Sequence, residues 1–172
     1  MFKRLALLGA AMALCVVVLG AYVRLSDAGL GCPDWPGCYG TLTVPESQAA
    51  IAQAQANYPD STLETAKAWK EMIHRYLAGT LGLVVLALFI LAWKNKQQVK
   101  TSPWLTTALL GIVIFQAMLG MWTVTMLLKP AIVSAHLLGG MATLGLLVWI
   151  VHRHWGYYSA SLVHPNHTRW LI

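Results

Sequence analysis

Outside residues 27–71 the sequence contains no aspartate or glutamate. Charge of either sign is scarce: 10% of the 172 residues are Asp, Glu, Lys or Arg, where a soluble domain carries about 25%. So little charge at a mean hydropathy of +0.60 excludes a disordered chain, which needs low hydrophobicity and high charge. It also argues against a water-soluble globule. The length sets a prior of one domain.

What fills the chain is apolar, 58% by the residues AVILMFWYC. Four stretches stand out: Leu5–Val23, Met72–Trp93, Trp104–Leu128 and Ala131–Val151. Each reaches the ~20 residues that cross a ~30 Å hydrocarbon layer as a helix. None alternates as a barrel strand would. The third is long enough to tilt or protrude. The fold class predicted is an all-α integral membrane protein, a bundle of four transmembrane helices in one domain spanning 1–172.

The missing acids orient it. Lys3 and Arg4 precede the first span, Lys94, Lys96 and Lys100 separate the second from the third, and Arg153 and Arg169 follow the fourth. The loop of residues 24–71 holds three basic residues and all six acids, a net of −3. The positive-inside rule puts both termini in the cytoplasm, with the long loop and the Lys129-Pro130 turn outside. The first span is read as retained, because no A-x-A-like cleavage site follows it, and Cys15 is expected as an inert buried thiol within it. The formal +6 is an orientation signal and not a nucleic-acid footprint. With no transit-like leader, the membrane expected is the bacterial cell (inner) membrane.

The outer loop opens with four glycines and two prolines between Arg24 and Gly40, a pattern of turns. Cys32 and Cys38 lie on the oxidising side, where a disulfide persists. They read as a staple of about 2 kcal/mol or as a redox-active pair. Two ligands are too few for a zinc site. Pro45 suits the first turn of a short surface helix ending before Pro59. Ser61-Thr-Leu-Glu64 has the form of a capping box, which predicts a helix from about Thr62 running into the second span.

Two histidines enter the membrane. His74 stands just inside the second span and His136 just inside the fourth. The two helices run in opposite directions, so both fall at similar depth. Ionisable groups there are functional candidates, and facing imidazoles in a helix bundle are a way to hold haem iron. Each alone also fits a packing residue. Ala78, Gly139 and Gly140 share their faces and leave room for a flat macrocycle, or equally for close helix packing. Glu71, one turn nearer the water than His74, reads as a proton-handling carboxylate or as the ion-pair partner of Arg75. Arg24, Arg75 and Lys129 reach the outer interface, where they could meet haem propionates or simply snorkel. Gln116 reads as an interhelical hydrogen bonder. Trp35, Trp69, Trp104 and Trp122 read as interface anchors. His152, His154, His164 and His167 read as solvated histidines at the cytoplasmic end.

These motifs carry a resemblance. Residues 20–40, with Cys32-Pro-Asp-Trp-Pro-Gly-Cys38, resemble the first-loop signature of the haem A synthase (haem O hydroxylase) family. Glu71-Met-Ile-His74-Arg75 resembles its second-helix motif. Gln116–Thr125, Lys129-Pro130 and Ser134–Gly140 resemble its third and fourth helices. The resemblance implies oxidation of a haem O methyl group to formyl. It makes His74 and His136 axial positions for the haem iron, Glu71 the catalytic carboxylate, and Cys32 with Cys38 the outer-loop pair. Haem O synthase and the terminal oxidase would be its neighbours in assembly. The common family member has eight spans, and its second half binds haem B. Four spans here imply either the N-terminal half or a homo-oligomer, with Arg169–Ile172 reading like the opening of a fifth span. Two other functions fit the same residues less fully. One is a bis-histidine membrane cytochrome that passes electrons. The other is a four-span thiol oxidase, which usually needs a second cysteine pair.

Overall fold

The computed structural model describes residues 1–99 and 101–155; Lys100, His164, His167 and Arg169 lie outside them. The described residues form five helices: α1 Phe2–Leu25, α2 Gln48–Asn57, α3 Thr65–Lys94, α4 Pro103–Thr125 and α5 Pro130–Trp155. Four of them, all but α2, are long and apolar enough to cross a membrane. Proline opens α4 and α5, at positions where its missing N–H leaves no helical bond unmade.

The long helices make a square. α1 neighbours α3 and α5, and α4 neighbours the same two. Two helices therefore face each other only across a diagonal: α1 opposite α4, and α3 opposite α5. At the end carrying the chain's N-terminus, the centre is filled by Ala6, Ala10 and Ala13 of α1, Val85, Leu88 and Ala92 of α3, Leu109 of α4, and Leu147 and Ile150 of α5. Water-driven burial does not operate between helices in lipid, so small residues that admit close backbone approach provide the packing. A second cluster lies at the loop end, where Cys32, Cys38, Tyr39, Val44 and Ala54 settle on Ala68 and Met72 of α3.

Several expectations change. α3 starts at Thr65, and its N-cap Glu64 makes no side-chain cap. The Ser61–Glu64 box is absent because its members are engaged elsewhere: Ser61 Oγ donates to Tyr39 Oη at 3.1 Å and Glu64 pairs with Lys67 at 2.9 Å. The short helix begins after Pro45, with Ser47 Oγ accepting from the Ala50 N–H at 3.2 Å. The third apolar run does not continue as one helix. It ends at Thr125, and Leu127 and Leu128 turn through the left-handed region, φ 50° and 56°. Cys15 is exposed on the outer face of α1, not buried, since the core-facing stripe of that helix runs through Ala6, Ala10 and Ala13.

Candidate functional site

The loop end of the bundle is built around Glu71. The residue is 5% exposed. One oxygen, Oε2, accepts from the Cys32 backbone N–H at 3.0 Å; the other pairs with Arg75, one turn on. The same guanidinium donates to the loop carbonyls of Asp34 at 2.9 Å, Pro36 at 3.3 Å and Gly37. Charge-assisted bonds of this kind are stronger than neutral ones, so Arg75 ties the cysteine loop and the carboxylate into one unit. Here the ion pair anticipated for Glu71 is present, and Arg75 is engaged with the loop.

Local geometry explains why the loop lies so close. Gly31 rests directly on the α3 backbone: a Cβ there would come within 2.7–2.9 Å of Lys67 and Ala68 main-chain atoms. Cys32 and Cys38 form a disulfide with Cα atoms 4.8 Å apart. Trp35-Pro36 is cis. Asp34 accepts from the Tyr39 and Gly40 N–H groups at 2.6 and 2.8 Å, holding two consecutive left-handed residues, φ 53° and 77°. Desolvation, reinforced by the Asp34 carboxylate, raises the Tyr58 phenol above its ordinary pKa. Farther along, Tyr76 Oη donates to the Leu42 carbonyl at 2.6 Å and Trp69 Nε1 to Glu46 at 2.7 Å.

Deeper in the bundle stand the two histidines, one on each helix of a diagonal pair. His74 extends from α3 and His136 from α5. Both Nδ1 atoms are buried with no hydrogen-bond partner. Their seats match. The His74 ring rests on Gly20 of α1, where a Cβ would approach Cε1 to 2.8 Å; the His136 ring rests on Gly120 of α4, where the same distance is 3.4 Å. Gly20 and Gly120 have no helical spacing to either histidine, so nothing in a one-dimensional pattern pairs them. Gly139 and Gly140 serve the close packing: they face Gln116 of α4 and Val17 of α1. Gln116 bridges helices as expected, its Nε2 donating to the His136 carbonyl at 3.0 Å.

The remaining candidates stay at the rim. Arg24 in the last turn of α1 and Lys129 between α4 and α5 are exposed. Lys67 pairs with Asp27 at 3.6 Å as well as with Glu64. At the far end, His154 meets Thr101 Oγ1 at 2.8 Å and the Phe2 ring. Among the described residues no three His, Cys, Asp or Glu side chains gather as a metal site.

Comparison with known proteins gives the same direction. A protein named "Heme A synthase" from Shewanella oneidensis is 51% identical over 140 residues, covering 81% of this chain and 42% of that protein. Its namesake in Caulobacter vibrioides is 31% identical over 163 residues, covering 85% and 48%. "Protoheme IX farnesyltransferase 1" of Natronomonas pharaonis is 30% identical over 134 residues, covering 77% and 24%. The chain spans less than half the length of these relatives. No solved structure matches it. The COX15-CtaA family, described as cytochrome oxidase assembly protein, matches residues 3–171. With that match on nearly its whole length, the chain belongs to the COX15-CtaA family of cytochrome oxidase assembly proteins.

Proposed function

We propose that the chain acts in haem A biosynthesis as a haem A synthase-type oxidoreductase, binding haem O as its substrate and oxidising a ring methyl group to formyl. The observation that carries this reading is the pair His74 and His136: half-buried, on diagonally opposed helices, each on a glycine seat, each with a buried, unpartnered Nδ1. His74 and His136 would be the residues that hold the haem iron, which would supply the redox chemistry when bound. Glu71, one turn toward the loop, moves protons at the reacting carbon. Arg75 and the Cys32 N–H hold that carboxylate in place. Arg24 and Lys129, at the rim, serve the propionates.

The domain is the four-helix unit 1–172, with the loop outside and both termini in the cytoplasm of a bacterial inner membrane. It resembles the N-terminal half of an eight-span enzyme. Haem O synthase is the natural supplier. The name of the Natronomonas relative, a haem-modifying farnesyltransferase, supports that neighbourhood. Haem B belongs to a second half of the enzyme.

Expression in cells that make haem O, followed by haem extraction from the purified protein, tests the reading. Haem O or haem A should copurify and be lost in His74→Ala; an unchanged spectrum in that variant refutes the site. A second reading is a bis-histidine cytochrome without substrate oxidation, favoured by the engagement of Glu71 with Arg75 and Cys32. Haem bound normally but never converted by the wild type would select it.

A further inference from the structure

Gln116 is half-buried, and its Oε1 is the third buried polar atom left without a partner. Among the described residues, three buried side-chain atoms lack a partner: the two imidazole Nδ1 atoms and Gln116 Oε1. The amide orientation is fixed, because Nε2 donates to the His136 carbonyl at 3.0 Å; reversing it would set two carbonyl oxygens against each other. Oε1 is therefore a committed acceptor with nothing to accept. Burying such a group unsatisfied is costly, and a site for a donor-bearing ligand removes that cost.

Its position says which part of a ligand would reach it. Gln116 lies one helical turn farther from the loop end than the Gly120 seat of His136. Gly139 keeps the space for its amide, since a Cβ there would collide with Nε2. A haem held between His74 and His136 would turn its charged propionates to the loop end, where the exposed cations Arg24 and Lys129 are. On haem O the opposite edge carries the hydroxyethylfarnesyl group, and its hydroxyl is a neutral donor beside the ring. Haem B has a vinyl group there and no donor.

We infer that Gln116 is a specificity-determining residue, its Oε1 accepting the hydroxyl of the hydroxyethyl group on the inward edge of the macrocycle. The inference rests on the haem O reading above and adds to it the means of distinguishing haem O from haem B. A site built to bond a hydroxyl rejects the analogue lacking it, because its own polar group is then left unpaired.

Three ligands separate the contributions in equilibrium binding to the purified full chain: haem O, haem B, and haematohaem, which carries the hydroxyethyl group without the farnesyl chain. Gln116→Met should weaken haem O and haematohaem by about tenfold and leave haem B within about twofold. Gly139→Ala, which displaces the amide, should reproduce the pattern if the methionine variant fails to fold. An equal loss for all three ligands, or none, overturns the inference and leaves Gln116 as an interhelical clamp. A wild-type chain that binds none of the three overturns the haem reading itself.

Discussion

The two ends of the bundle are made differently. Toward the N-terminus the four helices close on alanine, valine and leucine, with Ala6, Val85, Leu88, Ala92, Leu109, Leu147 and Ile150 all at 0% exposure. Toward the loop the same helices enclose Glu71, His74, Gln116 and His136, and three buried polar atoms there lack a partner. One end satisfies itself by packing and the other does not. Unpaired buried groups are costly and call for an explanation; the closed end needs none, and the loop end is where the proposed site lies.

Substitutions can break or sharpen this contrast. The largest effect belongs to the histidines. His74→Ala or His136→Ala should weaken haem binding by about a hundredfold or more, seen as loss of the haem absorption of the purified protein while helix content is unchanged. Next is Glu71→Gln, which should leave haem bound but lower conversion of haem O by roughly 10²–10⁴-fold, measured by chromatography of extracted haem. At the closed end, Leu88→Ala should cost about 2–4 kcal/mol in detergent unfolding with no change in the haem spectrum of the folded fraction. Gly31→Ala drives a methyl into the α3 backbone, and lifting the loop should cost about 1–3 kcal/mol; faster proteolysis between residues 32 and 40 would report it. Lys67→Ala, which removes only rim ion pairs, should change stability by less than about 1 kcal/mol. A larger loss there would mean that surface charge, rather than Arg75, fastens the loop.

Hydropathy displays the four long helices because lipid tolerates little else. It locates them to within a few residues except where a polar segment joins a span, as at Thr65. The histidines and Glu71 stand out in the sequence because ionisable residues are conspicuous in apolar runs. Their partners do not. Gly20 and Gly120 lie on other helices, and only the square arrangement brings them beneath the rings. The hold of Arg75 on three loop carbonyls was equally hidden, since main-chain acceptors leave no mark on a side-chain pattern. Cys15 shows the reverse limit: an apolar run all round gives no phase, so the lipid-facing side of α1 could not be chosen.

The diagonal placement of the histidine helices has a mechanical meaning. α3 and α5 do not approach each other at the backbone, so no direct contact sets the spacing of their imidazoles. That spacing is gauged by α1 and α4, which carry neither ring but stand between them like the stops of a calliper. Gly20 and Gly120 are the faces of those stops. A single methyl added at Gly20, where it would come within 2.8 Å of the His74 ring, would force that ring to shift, whereas one at Gly120 would meet the His136 ring at 3.4 Å, an ordinary contact.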